Sequence, residues 1–288
     1  MCRLFGMSSA PERTCATFWL LDAPDSLSDQ SHRHPDGTGL GFFDTDGTPH
    51  VHKAPIAAYQ DRCFAEQAKT ADSSVFLAHL RYATTGGVDY RNTQPFEQDR
   101  RLFGHNGVIG DLDELDAELG PDLAMVQGET DSERFFTLIT REIRKHGDVA
   151  DGIEHAARWV ARHLRLYALN LILATSEELW ALRYPDVHDL YVLQRPGGGP
   201  HGARHLDHSG TAGRMRVHCA DMARVPAVVI ASEPMDDSLG WRLLEPGELL
   251  HVGPGPRVTS RIALTEEPAH RLQLADLSPR ASAAQQVA

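Results

Sequence analysis

The chain has 288 residues, 24% of them charged, with a formal net charge of −12 and a pI near 5.7. An acidic surplus of this size excludes a general nucleic-acid surface, which needs clustered cations. The four scattered cysteines (Cys2, Cys15, Cys63 and Cys219) form no Cys-x-x-Cys pair, which excludes a disulfide framework and a zinc pattern, and no apolar run approaches membrane-spanning length, so a cytoplasmic, membrane-free protein is expected.

In chain order, residues 2–8 read as a short, mostly apolar strand. Residues 16–21 are an apolar cluster and 25–33 are polar; both suit helices. His34-Pro35-Asp36-Gly37-Thr38-Gly39 is turn chemistry, because proline disfavours helix before it and the glycines permit positive φ. Residues 40–44 and 51–54 read as a hairpin around Asp46-Gly47, and 57–69 as a short helix. The continuous apolar run 75–80 predicts a strand buried on both faces. Residues 102–109 predict a strand that enters a turn at Asn106-Gly107, and 111–119 a helix. Thr130 with Glu133 has the spacing of a capping box, followed by Phe135, Phe136, Leu138, Ile139 and Ile143 at helical intervals. A second long helix is expected over 149–166, with Ile153, Ala156, Ala157, Val160 and Leu164 on one face.

Strands return at 168–175, 178–184, 190–193, 214–219, 227–231, 248–252 and 258–264. Residues 196–213 are rich in glycine and histidine and read as a surface loop. The tail from Ser278 is small and polar and is expected to fray. Strands, then two long helices, then strands imply an α+β protein with stacked sheets. One domain over 2–265 is expected, with 266–288 as a partly disordered C-terminal extension.

Some residues suggest chemistry directly. With Met1 removed, Cys2 would carry both a thiol and a free α-amino group, so that nucleophile and general base share one residue. Downstream, His79-Leu80-Arg81-Tyr82-Ala83-Thr84-Thr85-Gly86 supplies a cation. Gly104-His105-Asn106-Gly107 supplies an amide on a flexible backbone, and Glu129-Thr130-Asp131-Ser132-Glu133 supplies carboxylates. An amino-acid-like ligand needs all three. His79 and His105 read as packing residues. His201, His205 and His208 have a spacing that suggests a metal site, but they lack a clear fourth ligand and read as loop; no metal is expected. Nucleotide-loop, zinc-protease and serine-hydrolase motifs are absent from the sequence.

Segments 2–6, 36–41, 79–86, 105–107, 129–133 and 231–234, in this order and spacing, resemble the class II glutamine amidotransferases, a branch of the N-terminal-nucleophile hydrolases. The resemblance runs to about residue 253. It implies a four-layer αββα sandwich, hydrolysis of a glutamine side-chain amide with release of ammonia, and no cofactor. It makes Cys2 the nucleophile that forms a γ-glutamyl thioester, and Asn106 and Gly107 the oxyanion hole. Arg81 would bind the substrate α-carboxylate and Asp131 its α-amino group, with Tyr82 and Thr84 as further substrate-binding positions. The chain looks most like the stand-alone members, some of which hydrolyse γ-glutamyl conjugates in thiol-histidine biosynthesis. Expected partners are therefore glutamine or a γ-glutamyl compound, with a separate synthase subunit as the route for ammonia if the chain does not hydrolyse outright. A non-catalytic binding module on the same fold is the alternative from another class.

Overall fold

Every residue of the first strand, β1 (Arg3–Ser8), is buried. Its side chains divide by parity: Phe5 and Met7 enter one apolar core, Leu4 another. A strand with apolar partners on both faces lies in an interior layer, and the same division runs through the molecule. The computed structural model describes residues 1–197 and 224–286. In it β1 lies between β4 (Val75–Arg81) and β10 (Ala227–Ala231), antiparallel to both. With β2 (Gly37–Phe43), β3 (Pro49–Ala54), β9 (Tyr191–Arg195) and β11 (Arg242–Leu243), the sheet has the order β11-β9-β10-β1-β4-β2-β3. A second sheet combines β5 (Phe96–Gln98), β6 (Arg101–Ile109), β7 (Arg165–Ala174), β8 (Leu179–Leu182), β12 (Glu248–Gly253) and β13 (Arg257–Ile262). Its order is β13-β12-β8-β7-β6-β5, and β14 (His270–Arg271) joins β7 in parallel.

Three cores separate the layers. Leu4, Leu77, Leu102, Ile172 and Ile230 fill the space between the sheets. Phe5, Phe76 and Val229 face outward onto Trp19 and Leu20 of a π-helical turn (Phe18–Asp22), Leu27 of α1 (Leu27–Gln30) and Phe64 of α2 (Arg62–Thr70). On the other side Phe103, Leu171 and Leu173 meet α3 (Leu112–Leu119), α4 (Asp131–His146) and α5 (Val149–His163). The architecture is helix, sheet, sheet, helix, the αββα sandwich that the resemblance implies. Each middle layer has two apolar faces, which is why β4 and β7 read as unbroken apolar runs.

Several elements differ from expectation. Asn106-Gly107 makes no turn; it sits inside β6, opposite Asn170 and Leu169. Glycine is required there because a Cβ would lie 1.8 Å from the Ala168 carbonyl oxygen. The capping box at α4 is half formed. Thr130 Oγ1 accepts from the Glu133 N–H at 3.2 Å, but the Glu133 carboxylate accepts from Gln127 and Gly128 of the preceding loop instead. The segment expected to fray is a helix, α6 (Pro279–Gln286), with Ala281 and Ala284 buried. Ser278 Oγ caps it by accepting from the Ala281 N–H, and Pro279 opens it. Cys15 is disulfide-bonded, which the scattered spacing did not signal. The strand expected at 214–219 and the three histidines of the 196–213 loop lie outside the described residues.

Candidate active site

Parity places the candidate residues. The inner face of β4 carries Leu77, then His79, then Arg81; that of β6 carries Leu102, Gly104, then Asn106. A Cβ on Gly104 would come within 2.9 Å of Leu4 Cδ2 and 3.3 Å of Leu77 Cδ2. The two sheets therefore approach closely at Gly104. Beyond it the inward positions turn polar on every strand: Cys2 before β1, Arg81 on β4, Asn106 on β6 and Asn170 on β7.

At the centre is the Cys2 sulfur. The Tyr82 N–H donates to it across 3.4 Å, and the Tyr82 carbonyl oxygen lies 3.6 Å from it. Cys2 as a residue is half-buried, its sulfur more deeply. Burial pushes the thiol above its ordinary range, while the Tyr82 bond and the nearby Arg81 charge pull it down. The amine of Met1 is lowered to about 6, chiefly by burial.

Arg81 ends β4, buried, and stays fixed through the loop that follows it. Its guanidinium donates to the carbonyl oxygens of Thr85 and Gly87, each at 2.8 Å. Thr84 and Tyr82 are half-buried in the same loop. Asn92 Nδ2 donates to the Gly87 carbonyl, and Asn92 Oδ1 accepts from the Glu129 N–H, so the loop is tied to the start of α4. There Asp131 is buried at the first helical position, and its Oδ2 accepts from the Ile109 N–H at 2.9 Å. Burial pushes the Asp131 carboxyl up; bonds from the backbone N–H groups of Ile109 and Ser132 hold it down. Arg81 and Asp131 both act electrostatically on Cys2, with opposite signs.

Asn106 completes the group. Its Nδ2 is buried and makes no hydrogen bond among the described residues. An amide donor with no partner in a closed strand is costly unless something else engages it. The expected packing histidines are both buried, and His105 Nδ1 meets Ser132 Oγ at 2.9 Å. Among the described residues no cluster of three or more His, Cys, Asp or Glu is arranged to hold a metal ion.

Residue-by-residue reading missed what anchors the cysteine. Arg3 Nε meets Glu233 Oε1 at 2.7 Å, and Arg33 reaches the same carboxylate at 3.2 Å. The Leu4 N–H donates to Ser232 Oγ at 2.9 Å. The 231–234 segment thus clamps the start of β1. Asp36 Oδ2 accepts from the Ala83 N–H at 2.8 Å and fixes the chain one residue past Tyr82. His188, which no motif marked, places Nδ1 3.4 Å from the Asn106 carbonyl oxygen.

A sandwich of two antiparallel sheets between helices, with a cysteine at the mouth of the inter-sheet gap, is the fold of the N-terminal-nucleophile hydrolases. The sequence model of the class-II glutamine amidotransferases matches residues 1–277, beyond the 253 to which the resemblance runs. The chain belongs to that family and is an enzyme of it. It is 27% identical over 254 residues to a γ-glutamyl-hercynylcysteine sulfoxide hydrolase of Mycolicibacterium smegmatis, covering 84% of this chain and 91% of that one. Among solved structures, the glutamine phosphoribosylpyrophosphate amidotransferase of B. subtilis superposes with a TM-score of 0.64 at 21% identity. That match covers 92% of this chain, which spans 50% of the length of the amidotransferase. A glutamine aminotransferase class-II domain protein of Silicibacter pomeroyi matches with a TM-score of 0.58 at 19% identity, covering 90% of this chain and 98% of that one.

Proposed function

We propose that the chain hydrolyses a γ-glutamyl amide, with glutamine the default substrate, through Cys2. The observation that carries this reading is the buried, unbonded amide of Asn106 on the inner face that leads to the cysteine. In the mature chain the α-amine of Cys2 takes the thiol proton, and the sulfur attacks the γ-carbonyl carbon. The carbonyl oxygen becomes an oxyanion, which Asn106 Nδ2 and the Gly107 N–H stabilise; one such donor is typically worth roughly 10²–10³ in rate. The C–N bond then breaks, and the departing nitrogen takes the proton from the ammonium. Water hydrolyses the resulting thioester to glutamate. Arg81 pairs with the substrate α-carboxylate and Asp131 with its α-amino group, with Tyr82 and Thr84 lining the approach.

A glutamine-mimicking diazo-ketone tests the reading. One adduct, mapped to Cys2 by mass spectrometry, is expected; no adduct means a binding module. The likeness to the mycobacterial hydrolase favours a second reading, in which the substrate is a larger γ-glutamyl conjugate. Turnover of glutamine against γ-glutamyl thiol conjugates separates the two. Ammonia release by the purified chain, with and without candidate synthases, shows whether a partner is needed.

A further inference from the structure

Helix α6 is joined to both walls of the site through one residue on each side. Arg280 donates to Asp36 Oδ2 at 3.0 Å, and that same oxygen accepts from the Ala83 N–H. Ala83 follows Tyr82, whose N–H meets the Cys2 sulfur. Toward the other end, Gln285 Oε1 lies 2.7 Å from His188 Nε2, and His188 Nδ1 lies 3.4 Å from the Asn106 carbonyl oxygen. Gln285 lies five positions after Arg280, about 7.5 Å along the helix. One short rod thus spans from the nucleophile's loop on one sheet to Asn106 on the other.

We infer that α6 is a strap that sets the spacing between the nucleophile and the oxyanion donor, with Arg280 and Gln285 as its positioning residues. This inference rests on the proposed roles of Cys2 and Asn106. The nucleophile's wall is not held by strand pairing at the site itself. Cys2 precedes the first strand, and Tyr82 to Gly87 is loop. Asn106 and Cys2 belong to different sheets, which share no ladder hydrogen bonds. Apolar packing fixes the sheets deeper in; at the polar end Asn170 of β7 donates to the His188 and Asp189 carbonyls ahead of β9, but no hydrogen bond among the described residues joins Cys2 or Tyr82 directly to Asn106. A displacement of about 1 Å between reacting groups can cost up to about a hundredfold in rate. A tie at this end therefore acts on chemistry more than on global stability. His188 suits the relay. Burial lowers its pKa to about 4, so at neutral pH the ring is uncharged and carries one N–H. It can donate on one side and, with the Gln285 amide turned, accept on the other.

The strap is lightly held. An isolated helix of this length is marginal, and α6 rests on two buried alanines, a serine cap and these polar ties. Removing a tie should loosen the site without unfolding the sandwich.

The test uses the full chain and the diazo-ketone analogue of glutamine, with the saturating rate and half-saturating concentration of Cys2 alkylation measured separately. Arg280→Ala and Gln285→Ala should each lower the saturating rate by about ten- to a hundredfold. Half-saturation and melting temperature should change little, and Arg280→Lys should recover most of the rate. Hydrogen exchange should quicken at Ala83 in the first variant and around Asn106 in the second. If wild type reacts at Cys2 and both alanine variants match it, or react faster, the strap is wrong while the hydrolase reading stands. A rate loss that merely tracks melting temperature, with no recovery in Arg280→Lys, also overturns it. If wild type forms no Cys2 adduct, the hydrolase reading fails and the strap falls with it.

Discussion

The backbone N–H of Tyr82 donates to the sulfur of Cys2 at 3.4 Å. A main-chain donor cannot be removed by mutating its own side chain, so the sulfur keeps this support in any Tyr82 variant that preserves the loop. The bond favours thiolate, and burial opposes it. Cys2→Ala should abolish alkylation and turnover with an unchanged melting temperature, and Cys2→Ser should be severely impaired. Active protein should have an intact mass that begins at Cys2. Fully active material that retains Met1 would remove the self-activating amine from the mechanism.

Arg81 and Asp131 should govern substrate affinity. Arg81→Ala and Asp131→Asn are each expected to weaken binding by about 2–5 kcal/mol, the range for truncating one side of a buried charge pair. Arg81→Lys should be nearly as poor, because an ammonium cannot reproduce the fork that holds Thr85 and Gly87 at 2.8 Å each. Steady-state kinetics decide: a normal KM in all three variants would refute the assignment.

Asn106 and Gly107 are adjacent but should fail differently. Asn106→Ala should lower kcat by roughly 10²–10³ with KM nearly unchanged. A change confined to KM would mark uniform binding instead. Gly107→Ala should damage the fold itself, because the added Cβ meets the Ala168 carbonyl oxygen at 1.8 Å. A loss of at least about 1–3 kcal/mol is expected in thermal or denaturant melts.

Acid should destabilise the chain below about pH 6.5, the unperturbed histidine value. Burial lowers His34 to about 2, His79 to about 3, and His105 and His188 to about 4. Between those values and 6.5 the unfolded chain binds protons that the folded chain refuses. The stability is therefore present above 6.5 and lost as pH falls, by at most about 1.4 kcal/mol per pH unit for each histidine. Asp25 and Asp131, both raised by burial, work in the opposite sense, but they are two groups against four. Urea midpoints at pH 7 and pH 5 test this; His79→Gln should narrow the gap, and equal midpoints would contradict it.

The layers were legible in the sequence because their causes are local. The run Val75 to Leu80, short and unbroken, has the length of a strand with two apolar faces, and Thr130 announces α4 through its own backbone neighbourhood. Cys2, Arg81, Asn106 and Asp131 were found as an ordered series, and the fold places them at one end of the inter-sheet gap. Asn106-Gly107 misled because its turn propensity is real in isolation; the close approach of Ala168 overrides it. Arg280 with Asp36, and Gln285 with His188, lie 244 and 97 positions apart, and no periodicity records such pairs. Ser278-Pro279 was a readable helix start, masked by the low apolar content that follows.

The clamp between Arg3 and Glu233 joins positions 230 apart. Chains are made at about 5–20 residues per second, so the segment around Cys2 leaves the ribosome roughly 10–50 s before its anchor does. During that interval the thiol has neither Glu233 nor the β10 edge to hold it, and its amino end stays open to processing enzymes. The proposed nucleophile is the first part of the site to be synthesised and among the last to be set. A chain cut short before β10 would carry the cysteine without its anchor, so incomplete products are expected to be inert toward amides.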